Sequence, residues 1–383
     1  MISTDSNQLS SFYSAYHRLL KAGKKAVNFI NQAPPPLMEF CEYLSRAREK
    51  QNLVHIVGMG RSGKVGMLLG EILKNIGFRI SYLGKSLAKP VRKDDVVIGV
   101  TGSGWTPFTC KSLDDSIQRG AKILVMTRDP RSKAARLADT IIEIPYPVIA
   151  GFEEESSSNH APLTPMGTMF EMNSLLVGMG IFSGLNDDST IKGFNDGVNR
   201  VLSASEATLA YINDNEEVLS KFIRLIERYS NKPEKKVYIY GSGLDAIIGS
   251  MTSIRLIHCS VNIKSNYDWR FRDSDDMLIA ISGSGNSTST LERVGSARSA
   301  EMNVVGLTSF PESRLAQNSD IFIKLEGRTE SRAVELRQIS DLRILLPSFE
   351  YVTAIFMDSC VAQLAHDLRI SESEMRREHA NIQ

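Results

Sequence analysis

Short apolar runs that end in glycine recur along the chain and alternate with stretches of helical spacing. The first two are VHIVGMGRSG at 54–63 and VVIGVTGSGWT at 96–106, and both stop abruptly in glycines and hydroxyl residues. A buried parallel strand that leads through a tight turn into a helix has this pattern. Similar runs at 236–243 and 276–288 follow about 180 residues later, which indicates a tandem duplication.

Between these runs the periodicity predicts an α/β alternation in each half. Helical stripes at 8–49 and 200–230 precede the strands, and long apolar helices are expected from about Pro165 and from about Phe349. We therefore expect two tandem doubly wound α/β domains, residues 1–199 and 200–383, each with a five-stranded parallel sheet flanked by helices. The predicted strands are 54–58, 78–84, 96–101, 122–127 and 140–145, then 237–240, 261–266, 277–282, 303–308 and 321–325.

Composition agrees with two domains and excludes several partners. At 383 residues the chain is longer than one hydrophobic core usually serves. Its 45 basic and 44 acidic residues are interspersed, so neither nucleic acid nor a membrane surface is expected as a partner. The four cysteines lack C-x-x-C spacing and are expected to be buried thiols in a reducing compartment. Because the pattern contains no secretion signal and no spanning segment, we expect a cytoplasmic protein.

The first glycine loop of each half is typical of an anion site. A strand that ends in Gly-x-Gly-x-Ser-Gly at a helix start presents backbone N–H groups and a hydroxyl to an anion. Gly58, Gly60 and Gly63 also fit a dinucleotide loop. The predicted strand 78–84, however, has no acidic residue at its end to bind a ribose.

The second loop of each half favours a monophosphate. Thr101, Ser103 and Thr106 lie beside a predicted helix start, where hydroxyls and helix N–H groups bind phosphate oxygens. A tight turn capped by Ser or Thr is the purely structural alternative for any one such loop. Four loops at matching positions argue against that alternative.

Two further segments give these loops a family resemblance. The segment Pro165-Met-Gly-Thr-Met-Phe-Glu171 and the tail Ser371-Glu-Ser-Glu-Met-Arg-Arg-Glu-His-Ala-Asn381 complete the pattern. The chain resembles the sugar isomerase (SIS) domain in two copies, and within that group it is most similar to the 6-phospho-3-hexuloisomerase family. The glycine loops specify only the domain, whereas the Pro165–Glu171 segment and the tail histidine are more particular to the isomerase.

This resemblance implies an enzyme that moves a carbonyl between adjacent carbons of a phosphosugar through an enediol, here between 3-hexulose 6-phosphate and fructose 6-phosphate. It implies Glu171 as the carboxylate base, and His379 as the group that opens the sugar ring or moves protons between oxygens. No metal or other cofactor is expected for this chemistry. The residues expected at the phosphate are Arg61, Ser62, Thr101, Ser103 and Thr106, and the developing oxyanion is the alternative ligand of Arg61.

The two copies differ in what they retain. The first lacks a histidine at the place of His379, and the second has Leu244-Asp245-Ala246 where the first has Arg61-Ser62-Gly63. In the resembling family a C-terminal histidine reaches the neighbouring subunit's site, so His379 is expected to complete the first-half site. The second, vestigial site is expected at Ser242, Ser282, Ser284, Ser287, Thr288 and Glu350.

The apolar helices expected at 8–30 and 349–366 are predicted to pair two chains into a homodimer, a pseudo-tetramer of SIS domains. Two other functions stay open at this point, with a non-enzymatic scaffold after them. Tandem copies of the domain also resemble aldose–ketose isomerases of glucosamine, glucose or mannose phosphates. A phosphosugar-binding regulator without turnover would need the hydroxyl loops but not Glu171, and the sequence has no basic helix-turn-helix to support it.

Overall fold

A computed structural model describes residues 9–145, 163–264, 273–329 and 346–378 of the chain. These residues form two parallel sheets, as the sequence predicts. The strands of the first sheet are β1 Leu53–Val57, β2 Arg79–Tyr82, β3 Val96–Val100, β4 Lys122–Thr127 and β5 Thr140–Glu143. Those of the second are β6 Val237–Gly241, β7 Ile263–Lys264, β8 Met277–Ile281, β9 Asn303–Thr308 and β10 Ile321–Lys324.

The strand orders are β2-β1-β3-β4-β5 and β10-β9-β8-β6-β7, so each half repeats the same doubly wound topology. The central strands β1, β3 and β8 are buried at all five positions. Burial on both faces requires an unbroken apolar run, which is why these strands lack an alternating pattern. The two five-stranded α/β units of the predicted fold class are confirmed.

Helices cover both faces of the sheets. In the first half they are α1 Ser10–Gln32, α2 Pro35–Glu49, α3 Gly60–Lys74, α4 Pro107–Ile117, α5 Lys133–Arg136 and α6 Thr168–Gly184. The helices that follow are α7 Thr190–Asn213, α8 Glu216–Glu227, α9 Leu244–Ile257, α10 Thr288–Ser299, α11 Arg314–Gln317, α12 Ser348–Asp367 and α13 Glu372–Arg377. None of the helices within the described ranges is long and apolar enough to cross a bilayer.

Helices α6 and α12 are the centre of the molecule. Both are buried around almost their whole circumference, as expected of an apolar helix without a polar face. Helix α6 packs against α1, α3 and α7, whereas α12 packs against α1, α7 and α9, so the two halves share one large core. Helix α7 runs without interruption through the predicted boundary at residues 199 and 200, so a helix joins the two predicted domains there.

The two helices expected to pair two chains pack on each other within one chain. The backbone N–H of Phe12 in α1 donates to Oε1 of Gln363 in α12 over 3.1 Å. The Phe12 and Phe356 rings meet edge to face with centroids 5.8 Å apart. Because these faces are already covered, they do not supply the expected dimer surface, and the homodimer stays a prediction.

The cysteine prediction is confirmed in its structural part. Cys41, Cys110, Cys259 and Cys360 are free thiols, and all four are buried. Burial raises the pKa of Cys41 and of Cys259 to about 12, so these thiols stay protonated and unreactive. The cytoplasmic location stays a prediction.

One turn shows how closely the two halves correspond. Gly104 and Gly285 follow β3 and β8 with φ values of 70° and 64°, a left-handed conformation that favours glycine. A Cβ atom on Gly104 would lie 2.0 Å from Oγ of Ser132, and one on Gly285 would lie 2.1 Å from Oγ of Ser313. Both serines are helix caps, so neither can move without loss of a cap.

We expect Gly104→Ala to lower the free energy of unfolding by about 1–3 kcal/mol, because it adds backbone strain and a clash with the Ser132 cap. Urea denaturation measures this change. Gly295→Ala is the matched control, since Gly295 lies exposed within α10 with open space around its Cα. The control should gain a few tenths to about 1 kcal/mol. Equal stability of Gly104→Ala and the wild type would contradict this account of the turn.

Candidate active site

The hydroxyl loop of the first half follows β3. Thr101 is buried, and its Oγ1 accepts a hydrogen bond from the Gly104 N–H over 3.2 Å and lies 3.3 Å from Oγ1 of Thr106. Ser103 is exposed. Thr106 holds the N-cap position of α4, yet its side chain makes no capping hydrogen bond. A helix start with hydroxyls around it and no cap of its own suits an anion with several oxygens.

Glu171 lies beside this loop in the first turn of α6. The ring of Phe170 packs on Gly102, where an added Cβ would be 3.0 Å from Cδ1 of the ring. This contact places the start of α6 against the loop that follows β3. Glu171 is only 6% exposed. Burial raises the pKa of Glu171 against the opposing effects of two arginines, as expected for a carboxyl taken out of water.

Arg61 contacts two carboxylates. Its Nε atom lies 2.7 Å from Oε2 of Glu171, and its Nη1 and Nη2 atoms donate to the two carboxylate oxygens of Asp358 over 2.9 and 2.5 Å. Burial works against the charge of Arg61, but the carboxylates of Asp358 and Glu171 outweigh it and raise the pKa of Arg61. The structure thus places Arg61 in a buried ion cluster, and its expected contact with phosphate or with the developing oxyanion stays a prediction. Its neighbour Ser62 lies half-buried in the first turn of α3.

The fourth charge of this cluster is Arg255, near the end of α9 in the second half. Its Nη2 atom donates to the Met166 carbonyl, to Oγ1 of Thr168 and to Oε2 of Glu171 over 3.1, 2.9 and 3.2 Å. Burial, reinforced by the like charge of Arg61, lowers the pKa of Arg255 to about 10. The guanidinium therefore stays charged at neutral pH and neutralises the cluster together with Arg61.

Sequence reasoning missed Arg255 and Asp358. Each is a charged residue within an apolar helical stretch, IIGSMTSIRLI in α9 and YVTAIFMDSCVAQLA in α12. A charge in such a stretch needs a buried partner, because an unpaired charge in the interior is very unfavourable. That signal was available, but the sequence alone does not say which partner lies opposite.

A pair of lysines lies at the same edge of the first sheet. Lys64 in α3 is partly buried, and both its burial and the like charge of Lys85 lower its pKa. Lys85 follows β2 directly after Gly84, where an added Cβ would lie 2.6 Å from the ring of Phe108 in the first turn of α4. Two cations held together next to an open helix start favour an anionic ligand.

The C-terminal tail approaches the ion cluster. Ser371 and Glu374 form a capping box at the start of α13, and the carboxylate of Glu372 acts electrostatically on Arg255. Glu378 lines the same surface depression as Ile257, next to the end of α9. His379 itself lies outside the described residues, so its predicted role stays a prediction.

The second half repeats the hydroxyl loop. Oγ of Ser282 lies 3.1 Å from Oγ of Ser287, and Oγ of Ser284 accepts the N–H of Asn286 over 3.2 Å. The Phe349 ring packs on Gly283 as Phe170 packs on Gly102. Glu350 consequently takes the place of Glu171 in the first turn of α12. Ser242 lies half-buried in the turn after β6, and Thr288 begins α10 as an exposed residue.

The environment of this second loop is different. Asp245, buried in the first turn of α9, stands where the first half has Ser62. Burial raises the pKa of Asp245 well above its ordinary value and the carboxylate of Glu350 adds to the rise, while Arg328 and the N–H of Gly283 act in the opposite direction. Ser284 is buried, in contrast to its exposed counterpart Ser103. The second loop is therefore covered and already holds a carboxyl group of the chain itself.

The fold and these loops define a tandem α/β protein with two anion-type loops, of which one is open. The chain belongs to the SIS domain family, whose model matches residues 49–176 and 232–365. An uncharacterised protein of Aeropyrum pernix is 30% identical over 165 residues, which cover 42% of this chain and 78% of that protein. The 3-hexulose-6-phosphate isomerase of Methanocaldococcus jannaschii is 28% identical over 172 residues, which cover 44% of this chain and 87% of that protein.

The whole-chain arrangement also has a solved counterpart. The structure of tagatose-6-phosphate ketose/aldose isomerase from Escherichia coli matches with a TM-score of 0.62 and 14% sequence identity, over 91% of this chain and 92% of that chain. At this identity the match shows the fold alone. It agrees with two SIS units in one chain.

The second loop gives a testable prediction. We expect Asp245→Ser, which copies Ser62, to bind one more phosphate per chain than the wild type, because a carboxyl group no longer occupies the loop. Equilibrium dialysis with labelled inorganic phosphate measures the number of sites. The reverse change, Ser62→Asp, should remove the site of the first loop. A wild type that already binds two phosphates per chain would contradict the prediction.

Proposed function

We propose that the protein is a sugar-phosphate ketol isomerase with its active site in the first half. It is most like an enzyme that interconverts 3-hexulose 6-phosphate and fructose 6-phosphate. The observation that carries the proposal is a buried carboxylate, Glu171, held beside an uncapped helix start with three hydroxyls. An enediol isomerase needs these two parts next to each other, one to move a proton and one to hold the substrate.

Phosphate recognition is assigned to the open loop. Thr101, Ser103 and Thr106 offer hydroxyls, and the uncapped first turn of α4 offers N–H groups and the positive end of the helix dipole. Ser62 adds a hydroxyl from the first turn of α3. Lys64 and Lys85 supply the positive charge that a phosphate dianion requires.

Proton transfer is assigned to Glu171. Its carboxylate removes the proton from the carbon next to the carbonyl, which leaves an enediol, and returns the proton to the neighbouring carbon. A second proton moves between the two oxygens, so the reaction balances without an oxidant or a reductant. The raised pKa of Glu171 makes the carboxylate a stronger base than an exposed glutamate.

His379 is assigned to the sugar oxygens, either in ring opening or in the transfer between the two hydroxyls. The electrostatic effect of Glu372 on Arg255 supports this role, because it indicates that α13 lies near the residue that binds Glu171. The names of the relatives support the substrate class, since the Methanocaldococcus jannaschii protein is called 3-hexulose-6-phosphate isomerase. The particular sugar is part of the proposal.

We expect Glu171→Gln to bind fructose 6-phosphate about as tightly as the wild type and to lose about 10²–10⁴ in kcat, because the amide cannot accept the proton. Calorimetric titration measures binding, and formation of the isomeric ketose measures turnover. Glu217→Gln is the matched control, since Glu217 is an exposed carboxylate in the first turn of α8. It should keep full activity.

Wild-type protein that binds fructose 6-phosphate without isomerising it would favour a phosphosugar-binding regulator. Full activity in Glu171→Gln would remove Glu171 as the base. Loss of binding in Glu171→Gln together with loss of turnover would assign the residue to substrate binding instead.

A further inference from the structure

The four charges at the first-half site come from both copies of the repeat. Arg61 and Glu171 belong to α3 and α6, whereas Arg255 and Asp358 belong to α9 and α12. We infer that Arg255 and Asp358 are positioning residues that hold the Glu171 carboxylate for proton transfer, so that the second copy is part of the active site of the first. This inference rests on the proposed function.

Arg255 fixes the start of α6 as well as the carboxylate. A single nitrogen, Nη2, contacts the Met166 carbonyl, the Thr168 hydroxyl and Oε2 of Glu171. One nitrogen atom of Arg255 therefore holds the backbone before α6, the first residue of α6 (Thr168) and the catalytic carboxylate in fixed positions relative to one another. The carboxylate can then change its position only together with the turn that carries it.

Asp358 acts on Glu171 through Arg61. It binds both terminal nitrogens of the Arg61 guanidinium, so the guanidinium presents its remaining Nε to Oε2 of Glu171. A bidentate pair of this kind fixes the plane of the guanidinium. The negative charge of Asp358 also offsets part of the positive charge of Arg61. The Glu171 carboxylate is therefore more basic than it would be beside Arg61 and Arg255 alone.

The duplication shows that this arrangement is specific to one half. Leu244 stands at the place of Arg61, and Ile72 in α3 stands at the place of Arg255 in α9. Glu350, the counterpart of Glu171, thus lacks the equivalents of both arginines. Arg328 acts on it electrostatically, but its carboxylate atom Oε2 is buried without a hydrogen-bond partner among the described residues. Glu171, in contrast, forms ion pairs with two arginines.

The charges that face Glu171 come from three helices. Arg61 in α3 and Arg255 in α9 favour its charged form, whereas Asp358 in α12 disfavours it. Glu372 in α13 acts on Arg255. The two positioning residues therefore have opposite effects on the pH at which Glu171 becomes a base.

The test is the pH dependence of kcat in Arg255→Met and Asp358→Asn. Removal of the arginine should move the acid limb of the profile to higher pH, because Glu171 loses a cation that stabilises its charge. Removal of the aspartate should move the acid limb to lower pH, because Glu171 loses a nearby anion and Arg61 turns fully to it. Loss of position should cost up to about 10² in kcat with little change in KM.

Arg255→Lys is the conservative variant and should return the acid limb towards that of the wild type. If Arg255 and Asp358 only stabilise the fold, their substitution would lower the melting temperature, but the acid limbs of the two variants would not shift in opposite directions. Shifts in the same direction, or no shift in folded variants, would overturn the inference.

A second measurement depends neither on isomerase activity nor on the melting temperature of each variant. The free energy of unfolding of wild type and of Glu171→Gln, followed against pH in urea, reports the protonation of Glu171. The same comparison in the Arg255→Met background should show the Glu171 contribution displaced to higher pH, because Glu171 loses a cation, whereas Arg255→Lys should keep it near the wild-type position. Such a displacement without isomerase activity would refute the proposed function alone, whereas activity without displacement would overturn the inference alone.

Discussion

The buried ion cluster of Arg61, Glu171, Arg255 and Asp358 is the interaction on which the rest of the structure depends. Two positive and two negative side chains meet there, all four buried next to the large apolar cluster that the two halves share. Removal of one partner from such a cluster costs about 3–5 kcal/mol, because an unpaired charge stays buried. The cluster therefore fixes how α3 and α6 of one half lie against α9 and α12 of the other.

The same constraint explains why duplication leads to one open site. Each half contains a hydroxyl loop with nearly the same geometry, with 3.3 Å between Thr101 and Thr106 and 3.1 Å between Ser282 and Ser287. Only the first-half glutamate receives arginines from both copies. The second loop holds Asp245 instead of a free hydroxyl and is covered, and the second half contributes Arg255 and Asp358 to the cluster around Glu171.

The sequence predicts the local parts of this structure well. Strands and glycine loops follow from apolar runs and turn residues that lie next to each other in the chain, and the duplication supplies a second copy of each signal. One strand is described only in part: β7 contains Ile263–Lys264, where a strand over 261–266 is expected, and residues 265 and 266 lie outside the described residues. Helix α7 starts at Thr190, earlier than the helical stripe at 200–230.

The candidate site could be predicted only in part, for a physical reason. The loop of Thr101 and Thr106 lies against the start of α6, which carries Glu171, because each of these residues lies at the end of a predictable element. Asp358, which binds Arg61, lies 297 residues away from it in the chain, and no local sequence pattern identifies such a contact. Arginine binds phosphate and carboxylate with the same geometry, so the residue type alone does not decide between them.

The most direct test of the central claim is hydrogen exchange from solvent into fructose 6-phosphate, followed by NMR in deuterium oxide. An enediol isomerase of the proposed kind removes the proton from C3, next to the C2 carbonyl, so we expect deuterium at C3 in the presence of wild-type protein. Deuterium at C1 would instead assign an aldose–ketose isomerase. Binding of the sugar with no deuterium at either carbon would contradict the claim that this site moves a proton.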